Sequence, residues 1–386
     1  MSTPQSVSLK PIIEIRNTLN NMFVGREVEI VALLASLASG EPAILVGDPG
    51  TAKTAMIEAL SKLINAKYFY YLLTRFTEPD ELLGPLDIQA LREGKYARIM
   101  KNRLPDAEIV FLDEIFKASS AVRNILLDII LNKRILNGTE YIKLPMLTLY
   151  TASNEISTDA EDKAFYDRLT IRVFVKYIEE SLWSELIVKG VALPQVMNQL
   201  KPITDANYVR MLQSATTQRA VMIANSQEYR SKYIEALSLL KQRGLEISDR
   251  RKVKVLYVTS AISIVVGENE PSLDSLADAL RFTAIHTEDD IKKVEEAVLQ
   301  AKLSIASEQT QKLMTLIAEL ENTLNNIKQL GDKATMSDIR SLKTITKRAI
   351  DELKTTPRTP RLIRYTSKLQ SLVNEAINLI KQVEIS

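Results

Sequence analysis

AILVGDPGTAKT, residues Ala43–Thr54, decides how this chain is read. Ala43, Ile44, Leu45 and Val46 have the unbroken apolar character of a strand buried on both faces of a parallel sheet. A loop follows, built from Gly47, Asp48, Pro49, Gly50, Thr51 and Ala52, and a helical run then extends from Ala55 to Ile64. Strand, glycine-bearing loop, Lys-Thr and helix is the layout of a P-loop. Glycine backbone angles let successive N–H groups point inward at phosphate oxygens. The helix starts where the loop ends, so its positive pole faces the same anion. In this layout Lys53 reaches the β- and γ-phosphates and the Thr54 hydroxyl ligates magnesium, so ATP and Mg2+ are the expected cofactors. One residue departs from the G-x-x-x-x-G-K-[ST] pattern: Ala52 stands where a glycine precedes the lysine. Alanine is acceptable there with helical backbone angles, and those are the expectation.

The partner motifs follow in order. IVFLDE, Ile109–Glu114, reads as a second buried strand that ends in two carboxylates. Paired acids at the end of an apolar strand are costly unless positive charge is close by. A magnesium–nucleotide complex supplies it: Asp113 holds the metal directly or through water, and Glu114 orients and polarises the attacking water. LTLYTASN, Leu147–Asn154, is a strand with a polar end. Asn154 lies beside Glu114 if the two strands are neighbours. Its amide would then hold the water or sense the γ-phosphate; the plain alternative is a strand-end turn residue. A short helix, Ala160–Leu169, contains Asp167 and Arg168. An arginine held near a second subunit's γ-phosphate stabilises transition-state charge. Arg168 is the first choice for that role and Arg172 the reserve, against a simple surface salt bridge. Phe23 and Val24, upstream of the loop, either touch the nucleotide base or belong to the core.

Around these motifs the chain alternates strands and helices up to Tyr177. Tyr68–Leu73 is a strand. Leu86–Asn102 alternates about Glu93 and Gly94 and suggests a β-hairpin. Its arms carry Arg92, Lys95, Arg98, Lys101 and Arg103, which either contact a threaded polymer or are merely solvated. Ala118–Asn132 is an amphipathic helix, and Arg134–Leu144 is a hairpin turning at Asn137-Gly138. Beyond Tyr177 only helices are expected: Glu179–Lys189, Asp205–Ala215, Gln227–Arg243, Asp249–Val266 and Pro271–Ile285, with Pro194, Pro202, Gly244 and Gly267 as punctuation. Ser248 caps the helix opening Asp249-Arg250-Arg251. Arginines in a first turn oppose the helix dipole and call for an anion, and the nucleotide of the first domain is the expected one. From Thr287 the apolar spacing of Ile291, Val294, Val298 and Ala301 leads into Leu313, Ile317, Leu320, Leu324 and Ile327. This predicts one helix roughly 60 Å long, stopped at Gly331-Asp332-Lys333. Ile339–Leu353 and Leu362–Val383 follow, parted by Pro357–Pro360, giving an antiparallel three-helix bundle. That bundle is an interaction arm or a scaffold.

Bulk properties narrow the classes. A chain of 386 residues suggests more than one domain: an α/β nucleotide-binding domain over 8–177, an α-helical lid over 178–286 and a C-terminal helical domain over 287–386. A net charge of +2 gives no global case for binding nucleic acid or a membrane surface. The absence of cysteine excludes disulfides and thiolate metal sites, and the one histidine, His286, argues against a zinc site or a Ser-His-Asp triad. Met1–Lys10 is too polar for a signal peptide, and Leu256–Val266 is too short to span a bilayer. A reduced, cytoplasmic protein without membrane insertion is expected.

Taken together, the strings FVGREVEI, GDPGTAKT, VFLDEIFKASSAVRNILLDIILNKRI, TASNE, YDRL and SDRR resemble the MoxR family of AAA+ ATPases, nearest its RavA-like branch. The resemblance covers about Phe23 to Ile285. It implies a parallel-sheet AAA+ core with a helix-2 insert hairpin, an all-α lid and an added C-terminal bundle. In that family alanine often precedes the P-loop lysine. The resemblance further implies a ring homo-oligomer, usually a hexamer, with Asp113 and Glu114 as Walker B and Asn154 as sensor 1. Arg168 falls at the arginine-finger position and Arg250 at sensor 2, with Arg251 adjacent. It also implies chaperone-like remodelling with von Willebrand factor A (VWA) domain partners.

Overall fold

The computed structural model describes residues 7–157, 160–303, 305–330, 335–356 and 362–385. The expected stops at Gly331–Lys333 and Pro357–Pro360 lie outside these residues. The chain opens with two helices, α1 (Lys10–Met22) and α2 (Glu27–Ser39), before strand β1 (Ala43–Val46). Then come α3 (Lys53–Leu63), β2 (Tyr68–Leu72), α4 (Pro79–Leu83), α5 (Ile88–Arg92) and β3 (Ile109–Asp113). Next are α6 (Ser120–Asn132), the β4–β5 pair (Arg134–Asn137 and Glu140–Lys143), β6 (Thr148–Ser153), α7 (Ala160–Arg168) and β7 (Ile171–Phe174).

The main sheet has five strands in the order β2-β3-β6-β1-β7, and every pairing is parallel. The central strands β1 and β6 are buried along their whole length, as their apolar runs require. Because all strands run the same way, the residues just past β1, β3 and β6 gather along one edge of the sheet. Open α/β sheets bind ligands at that carboxyl edge, where the strand order reverses. Helix α2 is buried over most of its length between the sheet and α11, introduced below.

Two expectations about the inserts have different outcomes. Arg134–Lys143 forms the antiparallel pair β4–β5, with Asn137 opposite Glu140 around the turn at Gly138. Leu86–Asn102 differs from a full hairpin. Its arms meet antiparallel at one bridge, Leu86 with Arg98, and α5 occupies the turn region. The Asp87 carboxylate accepts hydrogen bonds from the amides of Gln89 and Ala90, which caps that helix against the alternating pattern. The two inserts are tied together by Asn137 Oδ1, which accepts from the Arg98 amide at 2.9 Å.

After β7 the chain is helical: α8 (Trp183–Gln199), α9 (Ala206–Asn225), α10 (Gln227–Gln242), α11 (Asp249–Val266), α12 (Leu273–Thr283) and α13 (Asp290–Gln300). Helix α8 runs through Pro194 instead of stopping there. It forgoes the one backbone bond that proline cannot donate. The single long helix expected from Thr287 is two helices. Helix α13 ends at Gln300, Lys302 takes a left-handed φ of 50°, and α14 (Ile305–Leu330) begins anew. The apolar period alone does not register the break, since Val294 and Val298 serve one core and Leu313 onward another. Indeed the chain divides into two compact units at Ala301 and Lys302. In the second unit α14, α15 (Met336–Thr355) and α16 (Ile363–Ile385) pack pairwise around Leu313, Leu320, Leu342, Leu369 and Val373.

Candidate active site

The β1–α3 loop has the geometry its glycines suggest. Gly47 donates its amide to the Ser153 carbonyl at 3.0 Å, and a Cβ there would sit 2.0 Å from the Val175 carbonyl oxygen, so only glycine fits. Gly50 has φ +79° and faces open space, leaving the backbone there bare. Ala52 corrects the expectation of helical angles: its φ is 66° and ψ 19°, in the left-handed region, immediately before α3. The chain must reverse its hand there to bring the loop amides round, and alanine accepts a strain that glycine would not meet. Asp48 and Pro49 are exposed, Thr51 is buried with its hydroxyl on the Asp48 carbonyl at 2.8 Å, and Thr54 is half-buried in the first turn of α3.

Lys53 is folded into the loop it follows. Its Nζ donates to the Gly47 and Asp48 carbonyls at 2.7 and 2.8 Å. Burial lowers its pKa, while Asp113, Glu114 and Asp48 pull it back up. The ammonium thus sits between the loop and the acid pair, two strands away across the edge.

At the end of β3, burial raises the Asp113 pKa, a second carboxylate at Glu114 pushes the same way, and Lys53 opposes both. One Asp113 oxygen accepts from the Glu114 amide at 2.9 Å. Glu114 itself has φ 55° and ψ 47°, a left-handed turn that swings its side chain toward β6. Since β3 and β6 are neighbours, Asn154 reaches it: Asn154 Nδ2 donates to Glu114 Oε1 at 2.8 Å. Lys117 Nζ lies 3.3 Å from the same oxygen, a contact that sequence reading missed. A half-buried acid with a raised pKa, a neighbouring lysine and a glycine-bearing loop together form a donor set that fits a magnesium–phosphate group.

The arginines lie elsewhere. Strand β7 pairs with β1 in register, Ile171 beside Ala43 and Phe174 beside Val46. Arg168, just before β7, is therefore at the amino edge of the sheet, and at ~3.3 Å per residue the length of β1 separates it from the phosphate loop. Arg168 Nη1 donates to the Ala164 carbonyl at 2.6 Å. Arg250 Nη1 lies 3.7 Å from Asp167 Oδ2, and Ser248 Oγ donates to that oxygen at 3.0 Å. So the anion beside Arg250 in its own chain is Asp167, not the nucleotide of the first domain, which corrects that expectation.

Arg172 and Arg251 are built into the core. Arg172 is fully buried, donates to the Ile285 and Tyr166 carbonyls at 2.7 Å each, and stacks 3.7 Å over the Tyr166 ring. Burial takes its pKa down to about 10. Arg251 is likewise enclosed, donating to the Thr170 and Thr283 carbonyls. Burial and the neighbouring Arg172 put its pKa well below the usual arginine value. Neither can extend to another molecule from there, whereas Arg250 is substantially exposed and Arg168 half-buried. Phe23 and Val24 are buried in the turn between α1 and α2. Tyr177, marked in the sequence only as the end of the strand–helix alternation, places its hydroxyl 3.4 Å from the Pro49 carbonyl.

This sheet order, glycine loop and acid pair define a P-loop nucleotide-binding core of the AAA+ type with a helical lid. The family described as the MoxR domain in MoxR-vWA-beta-propeller ternary systems matches residues 10–214. The chain belongs to the MoxR family of AAA+ ATPases. It is similar to two proteins of Methanocaldococcus jannaschii, MJ0079 and MJ0812, each 35% identical over 323 residues, covering 83% and 82% of this chain and 82% and 84% of theirs. It is also 31% identical over 305 residues to structural protein ORF618 of Acidianus two-tailed virus, covering 69% of this chain and 48% of that one. Among solved structures, a candidate ATPase from Cytophaga hutchinsonii superposes with a TM-score of 0.58 at 16% identity, covering 75% of this chain and 94% of the other. That likeness is one of fold.

Proposed function

We propose that this protein hydrolyses ATP at sites shared between copies of itself in a ring, hexameric by analogy with its family, and uses the cycle to remodel a partner carrying a VWA domain. Within the family, the motif strings favour the RavA-like branch. The observation that carries the reading is the split of the machinery between two edges of one sheet. Lys53, Thr54, Asp113, Glu114 and Asn154 lie at the carboxyl edge, while Arg168 precedes β7 at the amino edge and Arg250 pairs with the adjacent Asp167. A head-to-tail contact between copies brings opposite edges together, and repeated contacts of that kind close into a ring.

Magnesium–ATP, when bound, supplies the phosphoanhydride to be cleaved and the charge that offsets the acid pair. Thr54 and Asp113 would hold the metal, and Lys53 would trade its loop carbonyls for phosphate oxygens. Glu114, held by Asn154, orients the attacking water, and Arg168 with Arg250 of the next copy meet the charge that develops. In this reading residues 8–177 bind nucleotide, 178–286 form the lid, and the helices beyond recruit partners. A VWA partner is supported by the name of the matching family. A nucleic-acid motor is less well supported, because Arg98 is paired with Asp80 and Arg103 donates to the Glu81 carbonyl instead of standing free.

The test is ATP turnover per chain as a function of protein concentration. A shared site predicts turnover that climbs steeply with concentration and then levels, and Glu114→Gln that binds ATP but does not turn it over. Turnover per chain that is constant down to the monomer contradicts the shared site.

A further inference from the structure

Among the described residues, helix α8 has almost nothing packed on it. Of its residues only Met197 is buried. Trp183, Ile187 and Val191 recur at every fourth position and Val188 stands beside them, with exposures of 50%, 65%, 81% and 70%. This is one continuous apolar stripe. The sequence of α8 is also a poor helix former by itself, with Gly190, Pro194 and the β-branched Ile187, Val188 and Val191. A helix of that composition owes its stability to packing, which the chain itself does not supply among the described residues.

The position of α8 identifies what covers it. The chain enters it directly from the phosphate edge: the Val175 carbonyl closes over Gly47, Tyr177 reaches the Pro49 carbonyl, and Ile178 and Leu182 pack on Gly25. The charged pair on α8, Glu185 and Lys189, is spent internally at 2.8 Å, so the stripe carries no unpaired charge to attract an anionic surface. We propose that the stripe is covered by a second copy of this chain, the same copy that delivers Arg168 and Arg250 to the phosphate edge. This rests on the shared-site reading. It adds that α8 is the apolar half of the contact, joined through Tyr177 and Pro49 to the loop that holds phosphate. Burying four such side chains gives a contact of the kind that a patch of exposed apolar surface marks.

Trp183 is the only tryptophan in the chain, and its indole Nε1 donates to the Ile178 carbonyl at 3.0 Å, so it reports on this surface without a label. The experiment follows Trp183 emission of the full chain with magnesium and a non-hydrolysable ATP analogue across a dilution series, with mass by sedimentation alongside. The expected result is emission moving to shorter wavelength as mass rises, both reversed by dilution. Val188→Glu with Val191→Glu should abolish both and cut ATP turnover more than tenfold, while the affinity for a fluorescent ATP analogue stays within twofold of wild type, which also shows that the variant is folded. Assembly with unmoved emission overturns the assignment of α8 but leaves the shared site standing. Assembly of the double variant does the same. A shift independent of concentration means that the chain covers its own stripe, and overturns it too. Failure of the wild type to assemble at all overturns the shared site itself.

Discussion

Ala52 and Glu114 flank the phosphate site, and both hold left-handed backbone at non-glycine residues. Such strain persists where surrounding structure fixes the geometry, as it does where the loop turns into α3 and where β3 turns Glu114 toward Asn154. At position 52 the side chain contributes only its Cβ, so Ala52→Gly should relieve the strain, offset in part by greater freedom of the unfolded chain. The expected outcome is a gain of roughly 0.5–1 kcal/mol in urea unfolding with nucleotide affinity unchanged; a loss of stability contradicts this account. Lys133 offers a second residue-scale test. Burial brings its pKa down to about 8, with Glu41 pulling it up, and its Nζ donates to the Leu147 carbonyl at 2.8 Å. An unfolded lysine titrates near 10.4, so between about pH 8 and 10 the unfolded chain binds more protons and stability rises with pH, by up to ~3 kcal/mol in all. Above that window the buried Tyr68 hydroxyl, held protonated to higher pH than in the unfolded chain, works against the rise. Urea midpoints measured across the window should rise in the wild type and rise less in Lys133→Met, where Lys53 and Arg251, whose pKa values burial also lowers, still contribute.

At the scale of elements, strands were the most legible part. The runs at β1, β3 and β6 are short, apolar and bounded by turn residues, and their parallel order brought Asn154 beside Glu114 as the sequence implied. Two readings failed for one reason: periodicity reports which residues face a core but not which core, nor what a capping side chain does. Asp87 nucleates α5 within an alternating segment, and Lys302 breaks a helix whose apolar spacing carries on. The tie between the inserts was invisible in the sequence because it joins residues far apart in the chain. Asn137→Ala removes the acceptor of the Arg98 amide. A hydrogen bond worth about 1 kcal/mol net predicts exchange of that amide roughly five- to tenfold faster, with the protection of β3 and β6 unchanged. Equal loss of protection throughout the sheet would mean that the inserts are not separate units.

Over the whole molecule, the placement of the arginines was the part that motifs could not give. Sequence order put Arg168 and Arg250 after the acids, but only the register of β7 against β1 shows that Arg168 lies at the far edge of the sheet, where Arg250 joins it by pairing with Asp167. The same register turns Arg172, a plausible reserve by spacing, into a buried strut beneath Tyr166. The central claim is that one catalytic site needs opposite edges of two copies. It is tested by mixing two inactive proteins, Glu114→Gln, which damages only the carboxyl edge, and Arg168→Ala, which damages only the amino edge. With equal parts exchanging freely, about a quarter of the contacts pair an intact carboxyl edge with an intact amino edge, and turnover should return to a comparable fraction of the wild-type rate. A mixture that assembles and exchanges subunits yet stays as inactive as its components would contradict the claim.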